Sequence, residues 1–99
     1  MYYMIVGTDV EDSLERRMAA RSAHLDRLNK LKDEGRLFLA GPLPAIDATD
    51  PGPAGFTGSL IVAEFDSLDA ARSWAEIDPY VTTGVYASVT VKPFRKMLP

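Results

Sequence analysis

The sequence predicts an α+β fold in which four strands and two helices follow one another in the order βαββαβ. Segments rich in β-branched and aromatic residues alternate with segments whose apolar residues have helical spacing. Glycine, proline and helix-capping residues separate these segments. The chain has 99 residues, enough for one domain with one core. We therefore expect a single domain over residues 1–99 with the ferredoxin-like arrangement, in which one antiparallel sheet carries both helices on one face.

Four segments have the composition of β-strands, because they are short, apolar and bounded by glycine, proline or aspartate. They cover residues 2–8, 36–43, 59–65 and 86–94. Between the second and the third lies a segment rich in proline and glycine, residues 44–58. A loop of this length in a small domain is typical of a lid or of a contact arm.

The first helical segment begins after Asp12, which together with Glu15 resembles a capping box. Its apolar positions continue to Gly35, a residue typical of helix C-termini. Ser22 could cap a new helix, which leaves a break at this position open. Charged residues between the apolar positions, among them Arg27, are expected to form the solvated face.

The second helical segment begins at Asp66 or Ser67, either of which can cap a helix. Its apolar face includes Trp74, which we expect to be part of the core. Pro79 ends it, because the residue before a proline avoids helical geometry. A short turn over residues 80–84 precedes the last strand.

The strands are apolar on both faces, whereas a sheet with one wet face should alternate. In the first strand, for example, Tyr3 and Ile5 have one parity, and Met4 and Val6 have the other. The chain has no third layer to cover the second face, so a second copy of the chain is the simplest cover. We expect a homodimer packed sheet on sheet. The alternative is a monomer whose apolar patches are confined to the edges.

Composition excludes several classes of function. The net charge of -3 argues against nucleic acid as a partner, because phosphate binding requires a basic surface. The absence of cysteine excludes disulfides and thiol catalysis and fits a cytoplasmic protein. No segment has the ~18 apolar residues of a membrane span, and the first residues do not resemble a signal peptide. One histidine with scattered carboxylates does not make a transition-metal set, so we expect no metal and no cofactor.

His24 is the only histidine, and its side chain alone has an unperturbed pKa near neutrality, at about 6.5. On an ideal helix His24 lies within the inward apolar stripe, and Asp78 projects to the inward side of the second helix. Each is equally far in sequence from its proposed cap, Asp12 or Asp66, so both should lie at similar height on helices ~8–10 Å apart. A carboxylate bonded to one imidazole nitrogen fixes the tautomer and raises basicity at the other. The alternative is a histidine that is satisfied within the core.

Arg17 and Arg21 lie close to the same inward stripe if the first helix is continuous. An arginine that faces the sheet requires a carboxylate or a bound anion. Arg21 could hold a substrate carboxylate or phenolate beside His24. The alternative is a salt bridge from Arg21 to an acidic side chain: Asp78, Glu15 or Glu64.

Short motifs along nearly the whole chain are specific when they are taken together. They are Arg21-Ser-Ala-His24-Leu25, Glu34-Gly35-Arg36-Leu37, Ala40-Gly41-Pro42, Gly55-Phe-Thr-Gly58-Ser59, Ala63-Glu64-Phe65, Asp78-Pro79-Tyr80, Gly84-Val85-Tyr86 and Val91-Lys92-Pro93-Phe94. In these motifs the chain resembles the YciI-like (YCII-related) family of small bacterial proteins. The resemblance implies a ferredoxin-like fold of the dimeric α/β-barrel type and a site centred on His24 and Asp78. Some relatives resemble dehydrochlorinases of chlorinated aromatic compounds and, by fold, muconolactone isomerase, although the family has no general assigned reaction.

The hypothesis is a small cofactor-free enzyme, a lyase or isomerase, in which His24, oriented by Asp78, transfers a proton on a small cyclic or aromatic anion. A non-catalytic ligand-binding or accessory module and a purely structural dimerisation domain are the alternatives. Gly41 and Pro42 could let a ligand approach the strand or could form an edge kink, and the tyrosines could line a pocket or pack in the core. The residues predicted to contact substrate are Arg21, Ser22, Gly41, Pro42, Tyr80 and Tyr86.

Overall fold

The computed structural model describes all 99 residues and has the predicted order of strands and helices, with one additional short helix. The elements are β1 (Tyr2–Asp9), α1 (Leu14–Asp33), β2 (Leu37–Pro44), a 3-10 turn (Gly52–Ala54), β3 (Phe56–Glu64), α2 (Leu68–Glu76), α3 (Pro79–Thr82) and β4 (Tyr86–Phe94). The expected βαββαβ fold is therefore confirmed.

The four strands form one antiparallel sheet in the order β2-β3-β1-β4. The central strand β1 pairs with β3 and with β4, so that Ile5 lies opposite Ile61 on one side and Val91 on the other. Tyr3 and Ile5 belong to the buried core, which identifies the face that the helices cover. Tyr2, Met4 and Val6 point to the opposite face because side chains alternate along a strand.

The hydrophobic core lies between this face and the helices, towards the C-terminal half of α1. Leu28 and Leu31 of α1 are buried there, and Leu31 is only 2% exposed. Two alanines of α2, Ala71 and Ala75, are also buried in the core, and their small side chains allow the helix to lie close to the sheet.

The break at Ser22 that the sequence left open is absent, because α1 runs without interruption through this residue. The capping box is also wrong. Asp12 has a positive φ of 54°, and Ser13 occupies the N-cap without a side-chain capping bond. The Ser13 hydroxyl instead donates to a carboxylate oxygen of Asp9, 2.6 Å away. At the other end Gly35 has the expected left-handed conformation, with φ 73°.

The region after α2 differs from the prediction. Ser67 caps α2 as expected by accepting a hydrogen bond from the Ala70 N–H at 3.0 Å. The helix then ends before Asp78, which caps the new helix α3 by accepting from the Tyr80 N–H at 2.8 Å. Pro79 is the first residue of α3, a position where a missing N–H has no cost. Residues predicted as a turn are therefore largely helical.

The long loop is shorter than predicted, because residues 56–58 pair with the end of β2 and belong to β3. The opposite face of the sheet, which the helices leave uncovered, is apolar at its centre. It carries Met4 and Val6 of β1, and Leu39 and Leu43 of β2 are 42% and 39% exposed. In this chain no helix combines the length and the apolar character that crossing a membrane requires.

Candidate functional site

A cavity of about 360 Å³ lies between α1 and the β2–β3 side of the sheet. Its wall is mainly hydrophobic, with nine of fifteen lining residues of that kind. The polar side chains in the wall are few and come from three elements: Arg17, Arg21, His24, Ser59 and Tyr80. A mostly apolar cavity with a few convergent polar groups is the usual form of a small-molecule site.

His24 and Asp78 are in contact, as the sequence predicted. The His24 Nδ1 atom lies 2.8 Å from Asp78 Oδ1, and the two side chains are only 7% and 4% exposed. Because an ionised carboxylate can only accept, Nδ1 carries the hydrogen and Nε2 is left as the acceptor of the neutral ring. Nε2 has no hydrogen-bond partner in the protein and is not fully buried, so it opens into the cavity that His24 lines.

Asp78 is fixed by more than His24. Its Oδ1 also accepts the Tyr80 N–H as the cap of α3, and its Oδ2 accepts from Arg27 Nη1 at 3.3 Å. Asp78 reaches His24 from the cap position between α2 and α3, so the short helix α3 helps to place the carboxylate. Three donors hold this carboxylate in one orientation.

Arg27 does not line the cavity but contacts Asp78, and the sequence interpretation missed this contact. Its sequence position predicts the solvated face of α1, but its side chain is only 21% exposed. Its Nη2 donates to the Trp74 carbonyl at 2.7 Å, and its guanidinium carbon lies 4.1 Å from the centroid of the Trp74 ring. Burial lowers the pKa of Arg27, and the Asp78 carboxylate acts in the opposite direction. Its position three residues after His24 was the available signal, because such residues are neighbours on a helix.

Tyr80 lies beneath the histidine. The two rings are nearly parallel, with an interplanar angle of 9° and centroids 3.9 Å apart. Tyr80 is 3% exposed, and burial raises the pKa of its phenol, while Arg17 and Arg21 lower it. The stacked ring therefore fixes the plane of the imidazole, as Asp78 fixes its tautomer.

Arg17, near the start of α1, is buried and makes the carboxylate contact that its inward position required. Its Nε and Nη2 donate to the two carboxylate oxygens of Asp9 at 2.5 and 3.1 Å. Nη2 also lies 2.6 Å from the Gly58 carbonyl and 2.6 Å from Ser59 Oγ. The nearby Arg21 differs, because it is exposed and forms no salt bridge with Asp78, Glu15 or Glu64.

The other predicted contact residues are divided between the cavity and its surroundings. Gly41 and Pro42 line the cavity at the edge strand β2. Ser22 is exposed and does not reach it. The Tyr86 ring covers Gly7, where any Cβ atom would overlap it, and packs edge-on against Tyr80. Tyr86 therefore does not line the cavity but packs against Tyr80, which does.

Tyr86 Oη is the one fully buried side-chain nitrogen or oxygen atom without a hydrogen-bond partner. Burial raises the pKa of Tyr86 to about 12, and the nearby Ser59 opposes this shift without reaching hydrogen-bond geometry. No group of three or more His, Cys, Asp or Glu side chains that could hold a metal ion is present.

The YCII-related domain matches residues 1–95. The chain belongs to this family. Protein YciI of Escherichia coli and Protein YciI of Shigella flexneri are each 60% identical over 97 residues, which cover 98% of this chain and 99% of each relative. An uncharacterised protein of Haemophilus influenzae is 55% identical over the same length.

A solved structure with the same fold adds a chemical comparison. The 5-chloro-2-hydroxyhydroquinone dehydrochlorinase of Burkholderia phenoliruptrix, in complex with 2,5-dihydroxybenzoquinone, superposes with a TM-score of 0.82. It is 32% identical, and the match covers 96% of this chain and 94% of that one. The resemblance inferred from the short motifs is thus confirmed for the family and for the fold.

Proposed function

We propose that this YCII-related protein is a small cofactor-free enzyme in which His24 and Asp78 transfer a proton on a small cyclic or aromatic anion. One observation carries the proposal. The His24 Nε2 atom opens into an apolar cavity, while Nδ1 is held 2.8 Å from a buried carboxylate. A histidine that only filled space in the core would not need a free nitrogen facing a cavity.

The proposed reaction class is a lyase or isomerase. His24 Nε2 would accept a proton from a ring hydroxyl or ring carbon and return it to a neighbouring position. In lactone isomerisation the proton stays in the product. In elimination of hydrogen chloride the C–Cl bond also breaks, chloride leaves with the bonding electron pair, and the proton is finally lost to solvent. The structural neighbour supports elimination, since it is a dehydrochlorinase of a hydroxylated ring and is in complex with 2,5-dihydroxybenzoquinone, a ring with oxygen substituents.

Arg21 is the proposed residue that attracts the anion. The charge of Arg17 is already balanced by Asp9, whereas Arg21 lines the cavity without an acidic partner. The edge-strand residues Gly41 and Pro42 would form the opposite wall. Since Arg21 is exposed, its contribution should fall as salt concentration rises.

Turnover of 5-chloro-2-hydroxyhydroquinone, measured as chloride release, provides the test. His24→Asn should lower the rate by about 10²- to 10⁴-fold, while circular dichroism shows the same fold. Lys30→Gln, on the exposed surface of α1, is the control and should leave the rate unchanged. If the wild-type protein releases no chloride but binds 2,5-dihydroxybenzoquinone through His24, the ligand-binding alternative is correct.

We further propose that the uncovered sheet face forms a homodimer interface. The exposed apolar side chains of Leu39 and Leu43 on this face, 42% and 39% exposed, support this proposal. Leu39→Lys should convert a dimer into a monomer in sedimentation experiments. Ile77→Lys is the control, since Ile77 is 67% exposed but lies at the end of α2, away from the sheet face. A monomeric wild-type protein would refute the interface.

A further inference from the structure

We infer that Arg17 and Tyr80 form a second oxygen-binding end of the cavity, so that the ligand is a planar ring with at least two oxygen substituents. One substituent would lie at His24 and another at Arg17. This inference rests on the proposed function, because it assumes that His24 acts on a ring in this cavity. It goes further by assigning a binding role to Arg17 and by restricting the substrate class.

The hydrogen bonds of Arg17 leave one end of its guanidinium free. Nε and Nη2 donate to Asp9 and to the acceptors of residues 58 and 59. Nη1 has no hydrogen-bond partner in the protein. It is accessible to solvent, because Tyr86 Oη is the one fully buried side-chain nitrogen or oxygen atom that lacks a hydrogen-bond partner. Because Arg17 lines the cavity and is only 5% exposed, Nη1 presents its N–H groups to the cavity.

The orientation of this donor is fixed before any ligand arrives. The Asp9 carboxylate that holds Arg17 is itself held by the Ser13 hydroxyl at 2.6 Å. The guanidinium also lies over the rings of Phe56 and Tyr80, 5.3 and 4.9 Å from their centroids. A donor held in this way loses little entropy when it binds an oxygen atom, and donors to charged oxygens contribute more than neutral ones.

Tyr80 connects the two ends of the cavity. Its ring centroid is 3.9 Å from that of His24 and 4.9 Å from the guanidinium carbon of Arg17. Both groups are therefore within reach of one ring-sized molecule. Tyr80 Oη has no partner either and is not fully buried, so it provides a further donor at this place. Burial favours its protonated, donating form, because the pKa of Tyr80 is raised.

The two arginines of the cavity would then have different tasks. Arg17 carries little uncompensated charge, because Asp9 lies against it, so it selects by hydrogen-bond geometry. Arg21 has no acidic partner and selects by charge. The ligand class that satisfies both is an anionic ring with oxygen substituents on two sides, such as a hydroxyquinone or a polyhydroxylated benzene.

The test compares two ligands with three variants. The dissociation constants of 2,5-dihydroxybenzoquinone and of phenol are measured by chemical-shift titration of labelled protein, which reaches weak affinities. Arg17→Lys and Tyr80→Phe should each weaken the first ligand by about tenfold or more beyond their effect on phenol. His24→Asn should weaken both ligands. Tyr80→Phe retains the stacked ring, so it remains informative if Arg17→Lys does not fold.

The outcomes separate this inference from the proposed function. If neither Tyr80→Phe nor a folded Arg17→Lys discriminates between the ligands, the second oxygen-binding end is refuted, while His24-dependent turnover would still support the enzyme. If selectivity is lost as expected but His24→Asn leaves turnover intact, the oxygen-binding role of Arg17 and Tyr80 holds, while the proposed catalytic role of His24 fails. A wild-type protein that binds phenol as tightly as the quinone also refutes the inference.

Discussion

The two halves of α1 bury opposite kinds of side chain on one continuous face. The N-terminal half, defined as residues 14–24, buries Arg17 and His24, each 5% exposed, beside a cavity, together with the small side chain of Ala20. The C-terminal half buries Leu28 and Leu31 against the hydrophobic core. The same helix therefore serves as core at one end and as a cavity wall at the other, and apolar burial at one end can stabilise the helix that carries polar groups at the other.

Burial of the polar side chains in and beside the N-terminal half of α1 lowers the stability of the fold unless these side chains have partners. Arg17 and Asp78 are nearly excluded from solvent, and buried charges are tolerated only with close partners. The structure provides these partners, but it leaves Arg17 Nη1, His24 Nε2 and Tyr80 Oη unpaired towards the cavity. We therefore expect the C-terminal half to determine stability and the N-terminal half to determine ligand binding.

The largest loss of stability is expected for a substitution in the C-terminal half of α1, which packs in the hydrophobic core. Leu31→Ala should lower the free energy of unfolding by about 3 kcal/mol, because it removes a fully buried side chain and leaves a cavity. Urea denaturation measures this difference. Met18→Ala is the comparison in the other half, where the side chain is 69% exposed, and should cost less than about 0.5 kcal/mol. Equal losses for the two variants would contradict the division of α1.

A smaller loss of stability is expected when Asp78, the partner of His24, is substituted. Asp78→Asn keeps a side chain that can cap α3 but weakens the charge-assisted bonds to His24 and Arg27, so it should cost about 1–2 kcal/mol. Asp69→Asn, in the first turn of α2, is the matched control on the exposed surface and should cost less than about 0.5 kcal/mol. In Asp78→Asn the rate of chloride release should fall strongly, although the protein stays folded. A variant that is destabilised but fully active would assign Asp78 to the fold alone.

The order of strands and helices was predictable, because apolar periodicity determines the elements locally, and the inward positions of His24 and Asp78 predicted their contact. The manner of the contact was not predictable. Pro79 was interpreted as a helix stop, although proline is equally typical of the first turn of a new helix. Asp78 consequently reaches His24 from a cap position that a single-helix interpretation did not contain.

The arginines show a second limit of the sequence. An inward Arg17 was expected to require either a carboxylate or an anion, and the structure provides Asp9 while leaving Nη1 free. Arg27 was assigned to the solvated face, because helical periodicity cannot show that the Trp74 carbonyl and ring lie beside it. Such contacts depend on how two helices are placed over the sheet, which local patterns do not encode.

Arg27 lies where the two halves of α1 meet, and its variant should have an intermediate effect. Arg27→Lys keeps a charge near Asp78 but loses the planar contact with Trp74 and the fork of donors, so it should cost about 1 kcal/mol. Thermal denaturation measures the loss. Arg72→Lys, on the exposed surface of α2, is the control. If Arg27→Lys lowers the rate of chloride release without any loss of stability, Arg27 acts with the N-terminal half of α1 in function and does not stabilise the fold.

The smallest effect at neutral pH is expected for Tyr86→Phe, which removes the one buried hydroxyl without a partner and should change stability by less than about 0.5 kcal/mol. The difference should emerge in alkaline solution. The pKa of Tyr86 is about 12 in the folded protein, above the value of about 10 for an unfolded chain. The unfolded state therefore releases this proton first, so stability should decline as the pH rises from about 10 towards 12. In Tyr86→Phe the decline should be weaker, although the raised pKa of Tyr80 leaves part of it. Urea denaturation between pH 8 and 11 measures both slopes, and equal slopes would show that the hydroxyl behind the site is solvated.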